Sequence, residues 1–145
     1  MSCDTSRVGM GNRFVAAALA VGLIGGAALA AGPFAALAPL ERGRWQFKAI
    51  GGPQNRIACV PDPLRLVQFN HPGPDCAHFT IEDAANRVAI QYNCGPRGYG
   101  KTTITVRDPG QIRLDTQGIS AEGRPFDESY QGQFAGPCAP LPPSR

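Results

Sequence analysis

The chain has 145 residues, a net charge of +3 and 43% hydrophobic residues, which suffices for one domain with a buried core. Basic and acidic residues are interspersed, as in Arg107-Asp108 and in the pair Arg113 and Asp115. A nucleic-acid-binding protein concentrates its basic residues on one face. The scattered charges therefore indicate an ordinary solvated surface and exclude nucleic acid as a predicted partner.

The first thirty residues have the pattern of a secretory signal peptide. Arg7 and Arg13 precede the uncharged apolar run 14–24, and Ala28-x-Ala30 offers the small side chains that a signal peptidase accepts. The sequence predicts cleavage before Ala31 and a periplasmic or secreted protein that meets the membrane only through its leader. The alternative is a membrane anchor that is retained, because the apolar stretch is just long enough to span a bilayer.

The rest of the chain is predicted as a flexible lead-in over 31–42, a β domain over 43–138 and a disordered tail over 139–145. Within the domain, short runs alternate between apolar and polar residues and are separated by turn residues. These runs cover 44–50, 55–60, 78–82, 88–93, 102–106, 112–114 and 126–134. The pattern predicts an all-β fold, a small antiparallel meander that resembles a barrel or a sandwich.

One short helix is predicted between the second and third runs. Asp62 can cap its first turn and Pro63 can take the first helical position. The helix must end before the His71-Pro72 step, because a proline disfavours helical geometry in the residue that precedes it.

The cysteine count predicts two disulfides. Cys3 leaves with the leader, and an even number then remains in a small exported chain: Cys59, Cys76, Cys94 and Cys138. Three pairings are possible. The preferred one joins Cys76 to Cys94, which flank a candidate hairpin, and this leaves Cys59 for Cys138. Strict alternation puts Cys76 and Cys94 on opposite faces, so this pairing requires that Cys76 precede the regular strand, or that the strand contain a bulge.

Residues 95–102 read GPRGYGKT and match the phosphate-binding pattern G-x-x-x-x-G-K-[ST]. That chemistry requires a helix directly after the loop, so that its first amides point at the phosphates. Here the β-branched run 102–106 follows, which favours a strand. The segment is therefore interpreted as a glycine-rich hairpin connection and not as a nucleotide site.

A metal site or a catalytic site is not predicted either. The dense group His71, Asp75, Cys76 and His78 has no zinc-ligand spacing, and its cysteine is expected to be oxidised. Neighbouring carboxylates, as in Asp127-Glu128, point to opposite faces of a strand and are interpreted as solvated strand ends. The prediction is a protein without catalytic residues, metal or cofactor.

Aromatic residues recur along the predicted strands and allow two interpretations. They form an ordinary core, which is the commoner case, or they line a cavity for an apolar ligand. The possible ligand-lining residues are Trp45, Phe47, Tyr92, Phe126, Tyr130 and Phe134.

The two ends of the domain resemble a known exported bacterial family. Gly43-x-Trp45 opens the first strand, four cysteines follow, and Gly136-x-Cys138 closes the domain after Phe134. This frame is similar to the family called domain of unknown function 3617, which often has tryptophan in the place of Phe134. The resemblance covers 43–138 and implies a periplasmic β-rich domain with no assigned activity.

The sequence thus predicts a non-enzymatic periplasmic or secreted protein that binds a small apolar ligand, an envelope component or another protein. The alternative is an interaction module similar to the periplasmic lysozyme inhibitors. That likeness rests on Tyr92-x-Cys94 and on the glycine-rich loop that leads to Lys101.

Overall fold

The computed structural model of the protein describes residues 33–139 and shows one antiparallel sheet of seven strands. The predicted signal peptide and the tail beyond Ala139 lie outside the described residues. The strands are β1 (Gly43–Ala49), β2 (Arg56–Val60), β3 (Ala77–Ala84), β4 (Arg87–Asn93), β5 (Tyr99–Asp108), β6 (Gln111–Ile119) and β7 (Pro125–Phe134).

The strand order in the sheet is β2-β1-β7-β6-β5-β4-β3. Strands β3 to β7 form a meander, and the chain start returns so that β1 pairs with β7 and β2 lies outside β1. The inner faces of six strands contribute to a single core, so the sheet wraps around it like an open barrel. Strands β2 and β3 are the two edge strands of the sheet, and each has a strand partner on one side only. The predicted all-β antiparallel fold is confirmed.

Three short 3-10 helices accompany the sheet: η1 (Ala35–Leu37), η2 (Pro63–Gln68) and η3 (Gly95–Arg97). Helix η2 is the predicted helix, with the Asp62 side chain accepting a hydrogen bond from the Leu64 N–H at 3.0 Å. Its turns are tighter than those of an α-helix, and it is only six residues long. Among residues 33–139, the helices are too short to cross a membrane.

Residues 33–42 are the described part of the segment predicted as a flexible lead-in, and they pack against the core. Ala36, Leu37 and Leu40 are each at most 4% exposed and belong to the core. The Phe34 N–H donates to the Asp83 carboxylate at 2.9 Å, which ties this segment to β3. The segment packs because an open barrel leaves apolar surface uncovered at its end, and these small and aliphatic side chains cover it.

Both predicted disulfides are present, Cys76–Cys94 and Cys59–Cys138. Strand β3 begins at Ala77, so Cys76 precedes the regular strand, as that pairing requires. A bulge also lies between Thr80 and Glu82. One disulfide thus joins the residue that precedes β3 to the residue that follows β4, while the other ties edge strand β2 to the segment after β7.

The glycines of the opening and closing motifs face each other. Gly43 has a φ of +149°, and a Cβ there would collide with the carbonyl oxygen of Gly136. That oxygen accepts a hydrogen bond from the Arg44 N–H at 2.7 Å. Glycine is required at Gly43 because the backbones approach too closely for a side chain.

Candidate functional site

The segment that matches the phosphate-binding pattern connects two neighbouring strands. Helix η3 forms a single turn, Gly98 follows, and Lys101 lies within β5, which pairs with β4. A strand therefore stands where a nucleotide site needs a helix, and the interpretation as a hairpin connection is confirmed.

The candidate metal ligands of the sequence serve other roles. Cys76 is in a disulfide, and Asp75 pairs with Arg65 at 3.0 Å. The buried His71 ring lies between the Tyr92 hydroxyl, 3.0 Å from Nδ1, and the Ile119 carbonyl oxygen, 3.1 Å from Nε2. Both ring nitrogens thus have structural partners.

The six predicted ligand-lining aromatics pack mainly as core. Trp45, Phe47 and Tyr130 are at most 1% exposed, and Phe47 lies in edge contact with the Tyr130 ring at 6.4 Å. Phe134 is half-buried against Trp45, with ring centroids 6.0 Å apart. These rings fill the interior by contacting one another.

The rings of Tyr92 and Phe126 both contact the His71 ring, with centroid distances of 5.4 Å and 5.7 Å. Burial raises the pKa of the Tyr92 hydroxyl, although hydrogen bonds with Thr116 and Thr102 oppose the shift. Tyr92 is 2% exposed, whereas Lys101 in the same predicted inhibitor-like motif is exposed. The inhibitor alternative stays a prediction.

An apolar cleft lies beside edge strand β2. We call it the β2 groove. It encloses about 520 Å³ between β2 on one side and η2 with the following loop on the other. Its floor is apolar and includes Ala58, Val60, Leu66 and Phe69. No backbone hydrogen bond joins β2 to residues 61–76 in the described chain, so the cleft is open along the strand edge.

A proline-rich loop, residues 71–75, forms the far wall of the groove and is held by side chains. Its prolines cannot donate hydrogen bonds, so the loop offers mostly carbonyl acceptors. Gln68 is 8% exposed and donates to the carbonyl of Pro74 at 3.0 Å while it accepts from the Cys76 N–H. Arg65 donates to the Gly73 carbonyl at 2.7 Å, and Arg97 donates to Pro74. These side chains therefore hold the wall in the absence of regular secondary structure.

A polar cluster surrounds Arg56, which lines the groove. Arg56 donates to the Asn70 side-chain oxygen Oδ1 at 2.6 Å and to Glu128 Oε2 at 3.0 Å. Asn70 and the Tyr130 hydroxyl donate to the same Glu128 oxygen, each at 3.0 Å. The interpretation of Asp127-Glu128 as a solvated strand end is therefore wrong for Glu128. Its side chain faces the interior because alternation along β7 puts it on the same face as Tyr130.

In this cluster the environment raises the pKa of the Tyr130 hydroxyl. Its burial and its hydrogen bond to the Glu128 carboxylate raise its pKa to about 12. Both causes favour the neutral phenol, because burial penalises the phenolate and the negative carboxylate repels it.

This shift predicts a loss of stability at high pH. An unfolded tyrosine titrates near pH 10, so between about pH 10 and about pH 12 the unfolded chain releases a proton that the folded Tyr130 keeps. The free energy of unfolding is then expected to fall by about 1.4 kcal/mol by about pH 11. Urea unfolding of the wild type and of Tyr130→Phe at increasing pH measures the difference. If the free energy of unfolding fell equally steeply with pH in the two proteins, the prediction would be contradicted.

Sequence reasoning missed the β2 groove. The capped helix and the apolar Leu66 are signals in the sequence, but no local pattern marks Arg56 and Phe69 as lining residues. The cleft exists because β2 is an edge strand whose free side faces η2, and strand order is a tertiary property.

Comparisons with known proteins found no matching family model, no similar curated protein and no similar solved structure. The resemblance to the exported family stays a prediction.

Proposed function

We propose that this protein is an exported, non-catalytic binding protein whose β2 groove holds a small apolar ligand. The groove itself is the observation that carries the proposal. Its volume of about 520 Å³ lies in the range of small-molecule sites. Its apolar floor lies between a strand edge and a loop that side-chain hydrogen bonds hold in place. A cleft that is already formed costs a ligand little free energy to shape.

The disulfides support an oxidising compartment. Disulfides form and persist outside the reducing cytosol, and the two of this chain fix both edge strands of the sheet. Together with the predicted signal peptide, this supports a periplasmic or secreted location, where a carrier of a small molecule or a receptor for an envelope component would act.

The occupied polar groups support a role in binding and not in catalysis. His71 uses both ring nitrogens on Tyr92 and on the Ile119 carbonyl. Glu128, the carboxylate beside the groove, accepts from Arg56, Asn70 and Tyr130. General acid–base chemistry needs a group with an exchangeable proton that faces the substrate, and these groups face one another.

The proposal predicts saturable binding of a neutral apolar probe, N-phenyl-1-naphthylamine, with an increase in its fluorescence. Ala58→Leu places a larger side chain in the groove floor and is expected to weaken binding by about tenfold, because the added atoms overlap with the space that the bound probe occupies. The matched control is Ala77→Leu, the same change at an exposed position on the other edge strand. It is expected to leave the affinity unchanged.

Circular dichroism of both variants checks that each retains the wild-type fold. If the probe does not bind in a saturable way, or if Ala58→Leu binds it as tightly as the wild type does, the groove is not the ligand site. An envelope component or a protein partner would then be the remaining predicted occupant.

A further inference from the structure

We propose that the ligand of the β2 groove is an amphipathic anion, with a single acidic headgroup bound by Arg65 and an apolar chain on the groove floor. This inference rests on the proposed function and adds the chemical class of the ligand. It names Arg65 as the residue that selects for that class.

Two arginines set the polar chemistry of the groove. Its lining includes Arg56 and Arg65 and no carboxylate, while Glu128 and Asp75 pair with these arginines from outside the lining. The preference for an anion therefore depends on which arginine has donors left for a ligand.

Arg56 does not bind the headgroup, because both of its terminal nitrogens already donate hydrogen bonds within the protein. Its Nη1 donates to Asn70 and its Nη2 donates to both oxygens of Glu128. The guanidinium also lies over the Phe69 ring, 5.1 Å from the centroid. Displacing Glu128 would leave a half-buried carboxylate without its cation.

Arg65 has capacity for a ligand. Its Nη1 donates to the Gly73 carbonyl at 2.7 Å and pairs with Asp75 at 3.0 Å, whereas its Nη2 and Nε make no hydrogen bond within the described residues. The Arg65 side chain is 51% exposed and the Asp75 side chain 87%. An ion pair in that much water is weak, so an incoming acid can compete with Asp75 for the guanidinium.

The geometry separates the two ends of such a ligand. Arg65 and Leu66 both line the groove, but the Arg65 side chain is 51% exposed and Leu66 is 2% exposed. The guanidinium therefore lies on the solvent side of the lining and Leu66 on its buried, apolar side. The planar guanidinium can bind a carboxylate through two parallel N–H donors, which fixes the position of the headgroup. The chain then lies along β2, where burial of methylene groups provides affinity.

The test compares two probes of equal chain length, decanoate and 1-decanol, by isothermal titration calorimetry on the disulfide-bonded protein near neutral pH. The wild type is expected to bind decanoate about tenfold more tightly than decanol, because its carboxylate forms charge-assisted hydrogen bonds. Arg65→Gln is expected to bring the ratio of the two affinities to about one; the ratio is the readout, because the same change also removes the hydrogen bond to the Gly73 carbonyl and can weaken the binding of both probes alike. Arg65→Lys keeps the charge without the planar donors and is expected to retain part of the preference.

The control is Arg87→Gln. Arg87 pairs with Glu82 on the surface at 3.0 Å and is 48% exposed, so its setting matches that of Arg65 outside the groove. This variant is expected to keep the full preference for decanoate. Equal affinities of the wild type for decanoate and decanol would overturn the anion proposal and leave the apolar groove standing. Failure of both probes to bind would overturn the proposed function as well.

Discussion

Replacing Cys59 and Cys138 together with alanine is expected to lower the free energy of unfolding by about 4.5 kcal/mol. The two residues are separated by 79 positions, so the disulfide closes a long loop in the unfolded chain and removes much of its conformational entropy. It also fixes edge strand β2, which has a strand partner on one side only. Urea unfolding under non-reducing conditions measures the loss.

The comparison variant replaces Cys76 and Cys94. This disulfide spans only 18 positions, and the chain-entropy contribution expected for it is about 3 kcal/mol. A loss below about 1 kcal/mol on removing Cys59 and Cys138 would show that the cross-link does not restrict the unfolded chain in the expected way.

Trp45→Ala is expected to cost about 3–5 kcal/mol of stability. The Trp45 side chain is fully buried, stacks on Phe47 with ring centroids 6.3 Å apart, and donates from Nε1 to the Glu41 carbonyl at 2.9 Å. Removal leaves a cavity in the centre of the core and an unpaired acceptor in the segment before β1. Urea unfolding followed by far-UV circular dichroism measures the effect, because Trp45 is the only tryptophan and its fluorescence is lost with it.

Phe79→Ala is the control for the loss of a large ring. Phe79 is 70% exposed on edge strand β3, and its removal is expected to change stability by no more than about 0.5 kcal/mol. A similar cost at Trp45 and at Phe79 would contradict the position of Trp45 in the core.

Much of the local structure followed from the sequence. Alternation predicted the strands, since side chains on a strand point to opposite faces in turn. The Asp62-Pro63 pair predicted the start of η2, because it supplies a side-chain acceptor and a pre-set φ angle. Each of these signals depends on residues that are near each other in the chain.

Alternation could not say which face of each strand is buried. Phe79 and Ile81 have the pattern of a half-buried strand, yet they are 70% and 48% exposed on β3. The lead-in at 33–42 lacks any strand pattern, yet Leu37 and Leu40 are buried. Both outcomes depend on which surface is left for a residue to cover, and only the packed sheet determines that surface.

The sequence by itself determined the strands and the capped turn, because periodicity and turn chemistry act over a few residues. The tertiary structure alone decided that β2 and β3 are the edges of the sheet, that Glu128 meets Arg56 across 72 positions of the chain, and that Arg65 lies beside an apolar cleft. Strand order brings these residues together, and it is fixed by the burial of the whole sheet around one core and not by any local pattern.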